Sequence, residues 1–228
     1  MKQVAFIVTL VALCSAAYAG GNIVKYDQPV DPQGYIFNSM NVVGLYNVAD
    51  DFLCTATGPI TDVHWYGGYF WVEGPNQIRG FNIRFYLDDG KNGAGRPGSL
   101  VYDTVYAGNA NETDTGQYGG DGFKIWQYAL NIEPFWQYKD HRYWLSVSVL
   151  PGWDPFPNAQ YWGWRNAPTV TGNQAVQAFY GDHQAMWAGA SQTGYDMAFS
   201  LTTVPEPGAV TALAGLLLGL GGIVLRRK

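Results

Sequence analysis

One stretch decides the fold class of this chain: Phe81-Asn82-Ile83-Arg84-Phe85-Tyr86-Leu87. The odd-numbered positions are all apolar, and Asn82 and Arg84 interrupt them at even positions. Successive side chains of a β-strand point to opposite faces, so a period of two predicts a half-buried strand.

The same alternation recurs at 145–149 and at 195–201, and Gly- and Pro-rich turn strings separate these segments from others that resemble strands. The further candidate strands are 34–38, 42–46, 51–55, 60–71, 99–106, 122–130, 159–165 and 175–180. No long period of 3.6 residues interrupts them. About ten strands therefore predict an all-β fold, a single antiparallel β-sandwich of jelly-roll type.

Charge excludes one class of partner. Residues 20–204 hold nine Lys/Arg and seventeen Asp/Glu, a formal charge of −8. A nucleic-acid-binding domain needs the opposite balance, so we expect no nucleic acid partner.

Cys54 is the one cysteine expected in the mature domain, because Cys14 lies in an N-terminal segment predicted to be removed. No internal disulfide is then possible. The surrounding strand pattern favours a buried, inert thiol, with an intermolecular bridge or a reactive thiol as the alternatives.

A metal site is suggested by Asp88 and Asp89, which begin a Gly-rich connection. The spacing does not fit an EF-hand, because Gly90 stands at the third position and Ser99 at the twelfth. We expect a structural turn and no cofactor, with an irregular Ca²⁺ site as the alternative.

No residue is assigned a catalytic role, because none of the common hydrolase, zinc-protease or phosphate-loop motifs is present. A secreted hydrolase with two facing carboxylates remains an alternative.

Aromatic residues are abundant, with 9 Trp, 16 Tyr and 11 Phe, and they cluster along the chain. Most are expected in the core or in cross-strand pairs. Exposed rings would allow sugars to stack, and the candidates beside loop signals are Trp153, Trp162 and Trp164. A carbohydrate-binding module for extracellular polysaccharide is therefore one hypothesis.

The N-terminus carries the pattern of a secretory signal peptide. Lys2 precedes an apolar run over 4–13, and Ala17 and Ala19 form an A-x-A cleavage site before Gly20. We expect residues 1–19 to be removed by signal peptidase after export by the secretion machinery.

The C-terminus, residues 204–228, has three parts in order. Pro205, Glu206 and Pro207 precede an uncharged apolar run over 208–225, which Arg226, Arg227 and Lys228 close. Eighteen helical residues extend about 27 Å, close to the ~30 Å hydrocarbon core of a bilayer. The pattern predicts a transmembrane helix in membrane lipid with its basic end in the cytoplasm, the alternative being a buried core helix.

This tail resembles the PEP-CTERM sorting signal of bacterial exported proteins, which joins a Pro-Glu-Pro motif, one transmembrane helix and an Arg-rich end. The strings 50–54, 58–63, 85–89 and 96–100 are also similar to secreted PEP-CTERM domains of unassigned function. The resemblance implies processing by exosortase, a membrane enzyme similar to cysteine proteases.

Together these signals predict three regions: a signal peptide (1–19), a secreted sandwich domain (20–203) and a sorting signal (204–228). The resemblance implies a single-pass membrane precursor. It also implies a mature form at the cell envelope, surface or extracellular matrix, which we expect to act by binding or as structure.

Overall fold

A computed structural model describes residues 22–71, 78–90, 95–151, 161–179 and 186–203. Within these residues the chain forms thirteen β-strands and one short 3₁₀ helix, Met186–Gly189. The strands are β1 (Ile23–Gln28), β2 (Ile36–Asn38), β3 (Tyr46–Leu53), β4 (Gly58–Tyr69), β5 (Ile78–Asp88), β6 (Pro97–Ala107), β7 (Thr113–Tyr118), β8 (Lys124–Gln137), β9 (Arg142–Pro151), β10 (Trp162–Arg165), β11 (Val176–Phe179), β12 (Ser191–Gln192) and β13 (Phe199–Thr203).

The strands form two antiparallel sheets, as expected of a β-sandwich. The six-stranded sheet has the order β12-β11-β3-β9-β5-β6. The seven-stranded sheet runs β1-β13-β4-β10-β2, with β8 on β4 and β7 on β8. The long strand β4 thus pairs with β8, β10 and β13 and places their residues at known registers.

Aromatic side chains from both sheets fill the space between them. Trp65 of β4 stacks on Tyr128 of β8 at 5.4 Å between ring centroids and meets the edge of Phe81 of β5 at 4.9 Å. Phe85 of β5 stacks on Phe135 of β8 at 4.2 Å. Burying a large apolar side chain stabilises the fold by roughly 1.5–3 kcal/mol, so this aromatic layer contributes most of the stabilisation between the two sheets.

The predicted half-buried strand is confirmed as a strand, but its polar face is also buried. Asn82, Arg84 and Tyr86 are all buried, as are Ser146 and Ser148 of the neighbouring β9. A second apolar cluster lies on this face of the six-stranded sheet and covers part of it; its members are Ala49, Tyr86, Trp144, Val176, Ala178, Met186, Trp187 and Ala190.

Two buried carboxylates lie where β3, β1 and the segment before β13 meet. Asp50 accepts hydrogen bonds from the backbone N–H groups of Asp51 and Met197, at 2.9 and 2.6 Å. Asp196 accepts from the Gln28 amide at 2.7 Å and from the Thr171 N–H at 2.5 Å. These bonds connect segments that are distant in sequence.

Most predicted strands are found, with shifted ends. The segment 42–45 is a turn rather than a strand, and β7 replaces part of a predicted turn string. In the described parts of the chain, no helix is long and apolar enough to cross a membrane. The predicted signal peptide with Ala17, Ala19 and Gly20, and the predicted tail with its 208–225 span, lie outside the described residues.

Candidate functional site

The predicted sugar-stacking role of Trp162 and Trp164 is wrong. Both indoles are fully buried. The Trp162 Nε1–H donates to the Tyr128 hydroxyl at 3.0 Å, and the Trp164 Nε1–H donates to the Ala198 carbonyl at 3.0 Å. Strand β10 lies between β4 and β2, so its alternate side chains point into the sandwich. Trp153 lies outside the described residues.

A different tryptophan lies at the surface. Trp71 follows the end of β4 and is 69% exposed. Around it are the partly buried rings of Phe70, Phe123 and Tyr161, and we name these four residues the aromatic platform.

Antiparallel pairing explains why these rings meet. Phe70 and Trp71 follow β4, whereas Phe123 immediately precedes β8 and Tyr161 immediately precedes β10. Both β8 and β10 run antiparallel to β4, so their first residues lie beside its last ones. A backbone hydrogen bond from the Phe70 N–H to the Tyr161 carbonyl, at 2.8 Å, fixes this end of the sheet.

Ring contacts hold the Trp71 indole in place. Its centroid lies 6.2 Å from that of Phe123 and 6.3 Å from that of Tyr161, both near edge-to-face, and 5.4 Å from Phe70. Trp71 has φ of 60°, a left-handed conformation that costs a non-glycine residue about 1–3 kcal/mol. Aromatic pairs contribute roughly 0.5–1.5 kcal/mol each, so three contacts offset a cost of this size.

The arrangement presents a preorganised aromatic face to solvent. The face of an indole ring is electron-rich, and it attracts polarised C–H groups such as those on the apolar face of a pyranose. Because its neighbours already fix the ring, binding would lose little side-chain entropy.

A second concave feature lies on the outer face of the seven-stranded sheet. It is a groove of about 390 Å³, which we name the sheet groove. Its lining residues are Asp27, Gln28, Pro29, Val30, His64, Tyr66, Gln127, Phe199, Ser200 and Thr202.

Register explains the lining of the sheet groove. Ser200 of β13 lies opposite His64 of β4, Thr202 lies opposite Asp62, and Gln127 of β8 lies opposite Tyr66. Side chains two apart on a strand share a face, so Asp62, His64 and Tyr66 point the same way.

His64 and Asp62 form an ion pair at one side of the sheet groove. The His64 Nε2 lies 2.7 Å from the Asp62 Oδ1, and this hydrogen bond raises the pKa of His64. An acid–imidazole pair opposite a serine has the residue types of a hydrolase triad. Within the described structure, however, the His64 Nε2 is bonded to Asp62, and no hydrogen bond joins the Ser200 hydroxyl to the imidazole.

The carboxylates of the predicted Ca²⁺ site are occupied by protein donors. Asp88 Oδ1 accepts from the Trp144 Nε1–H at 2.8 Å, and Asp89 Oδ1 accepts from the Arg96 N–H at 3.2 Å. No group of three or more His, Cys, Asp or Glu side chains suited to a metal is found among the described residues. The turn interpretation fits these contacts better than the metal interpretation.

The sequence shows the aromatic run that forms the platform, but it does not show which of these rings is exposed. Tyr69-Phe70-Trp71 is visible as an aromatic run, yet neighbouring rings point to opposite sides, and the strand end decides which ring emerges. The sheet groove has no local signal, because its residues come from β1 and the two residues after it, β4, β8 and β13.

Comparison with known protein families identifies the family of this chain. Neither the curated proteins nor the solved structures contain a match to this chain. A family described as "Domain of unknown function (DUF7901)" matches residues 24–202, which correspond to the compact unit Val24–Thr202. This match covers more than half of the chain, and the chain therefore belongs to the DUF7901 family.

Proposed function

We propose that this chain is an exported protein, sorted by exosortase to the cell surface or extracellular matrix, whose domain binds polysaccharide. As part of this proposal, the β-sandwich is of jelly-roll type. The two terminal signals in the sequence support export and sorting, and the exposed, fixed indole of Trp71 is the observation that carries the binding role.

The aromatic platform lies at the opposite end of β4 from the end of β13. Strand β13 pairs with β4 at residues 62–65, and the chain leaves β13 beside Asp62. Trp71 lies nine positions further along, which is about 30 Å at roughly 3.3 Å per residue. A ligand on the platform is therefore remote from the point where the chain continues towards the sorting signal.

Charge narrows the class of polysaccharide. The domain carries a formal charge of −8 over residues 20–204, so a polyanionic glycan would be repelled at low ionic strength. Neutral or amine-bearing sugars are compatible with this charge and with stacking on an indole.

The binding test compares two exposed tryptophans. Trp71→Ala removes the platform, whereas Trp136→Ala removes an indole that is 53% exposed on β8 beside Pro59, at the start of β4. The full chain is purified in a detergent without a sugar headgroup, and binding to the cells' own polysaccharide is measured by affinity electrophoresis.

We expect Trp71→Ala to weaken binding at least about tenfold, a loss of ~1.4 kcal/mol, and Trp136→Ala to have no effect. Circular dichroism of both variants checks that the fold is retained. Equal affinity of the two variants would refute the platform, and release of soluble sugar from the polysaccharide would indicate a hydrolase instead.

The sorting test measures intact mass. Protein recovered from cells that contain exosortase is expected to end near Pro205–Pro207, and protein from cells without it to retain Lys228. Replacement of Glu206 by Ala in cells with exosortase should give the unprocessed mass. Identical C-termini in all three samples would rule out sorting by this route.

A further inference from the structure

The sheet groove is rich in hydrogen-bond acceptors. Asp27, Ser200 and Thr202 line it, and their side chains supply a carboxylate and two hydroxyl groups. His64 also lines the groove, and its Nε2 lies 2.7 Å from the Asp62 Oδ1 behind it. Lysine and arginine are missing from the described part of this lining, which therefore offers acceptors without a permanent cation.

One of these acceptors is buried without a partner. Thr202 is 5% exposed, and its Oγ1 has no hydrogen-bond partner among the described residues. An unsatisfied buried polar atom costs about 1–3 kcal/mol. A donor from a ligand in the groove would recover part of this cost.

We propose that the sheet groove binds the protonated amine of a hexosamine. An ammonium group has three donors and no acceptor, which matches a lining of carboxylate, amide and hydroxyl oxygens. The volume of about 390 Å³ lies within the range of about 300–1,000 Å³ that small-molecule sites occupy. The phenol ring of Tyr66 gives the sugar ring an apolar contact.

Charge in the groove depends on His64. When the imidazole is protonated, it neutralises Asp62, and Asp27 from β1 is the remaining charge among the described lining residues. The facing residues of β13 and β8, Ser200, Thr202 and Gln127, are uncharged. Loss of the His64 proton thus makes the groove more negative, whereas the bond to Asp62 favours the protonated form by raising the pKa of His64.

This site is separate from the aromatic platform, and the experiment keeps them apart. Glucosamine is titrated into the full chain in a detergent without a sugar headgroup, with N-acetylglucosamine, glucose and ethanolamine as comparison ligands. Binding is followed by NMR of the His64 imidazole and by calorimetry.

We expect glucosamine to bind at least about tenfold more tightly than the other three ligands. Asp27→Asn and Thr202→Val should each weaken glucosamine binding severalfold. Asp140→Asn, which removes an exposed carboxylate elsewhere, and Trp71→Ala should leave the affinity unchanged.

Equal binding of glucose would overturn the role of the amine, and equal binding of ethanolamine would overturn the assignment to a sugar. Full affinity of both Asp27→Asn and Thr202→Val would show that the groove is not the site. Failure of the platform test leaves each of these outcomes unchanged, because the platform residues do not line the groove.

Discussion

Replacing Asp196 by Asn should change how the stability of the fold depends on pH. Burial raises the pKa of Asp196 to about 6 despite the hydrogen bonds that it accepts from Gln28 and Thr171. The nearby Asp50 is also fully buried, and burial, with the Asp196 charge as a second cause, raises its pKa well above the usual value. The folded chain therefore holds carboxylates that resist ionisation.

The sign and the size of this pH dependence of stability follow from proton linkage. An unfolded Asp has a pKa of about 3.9, so between about pH 4 and pH 6 the folded state binds more protons than the unfolded state. The contribution of Asp196 to stability is then greatest below about pH 4 and falls as the pH rises towards 6. Two pKa units correspond to about 3 kcal/mol lost across this window from Asp196 alone.

Asparagine keeps an oxygen to accept the two hydrogen bonds of Asp196 but cannot ionise. Any cost of its extra amide hydrogens is nearly the same at every pH. We therefore expect the stability of Asp196→Asn, relative to the original chain, to rise by about 3 kcal/mol between pH 4 and pH 7. Relief of repulsion on Asp50 acts in the same direction.

The assay is equilibrium unfolding in urea, followed by tryptophan fluorescence, at intervals between pH 4 and pH 8. Asp140→Asn serves as the control, because Asp140 is exposed and Asn tolerates its φ of 60°. Other groups such as His64 titrate in both chains and cancel in the difference. Parallel stability curves for Asp196→Asn and the original chain would refute the account of the buried acids.

Two further predictions concern buried side chains. Trp164→Ala should lower the free energy of unfolding by about 3–5 kcal/mol, because it leaves a cavity at a fully buried position. Urea titration measures this loss. A variant of unchanged stability with selectively weakened sugar binding would contradict the prediction. Cys54 is buried, and burial raises the pKa of its thiol to about 11. At pH 8 the thiol should therefore react only slowly with a thiol reagent in the folded chain and much faster in the unfolded chain. Rapid labelling of the folded chain, located by peptide mass spectrometry, would show that the thiol is accessible.

The all-β class was predictable because strand patterning is local. The alternation at 81–87 and at 145–149 identifies β5 and β9 from neighbouring residues alone. The burial of Cys54 followed from the same kind of pattern and is confirmed. The export and sorting signals are also local strings, and they stay predictions because they lie outside the described residues.

The candidate sites were decided by tertiary structure. Trp71 and Trp164 both stand in aromatic runs, but β4 ends before the first and β10 carries the second into the core. The alternating pattern predicts that Asn82 and Arg84 face solvent, but in the structure other parts of the chain bury both side chains. Asp50 and Asp196 meet only because β3 and the segment before β13 approach each other. Local sequence sets which way a side chain alternates, whereas pairing between distant strands sets what that side chain meets.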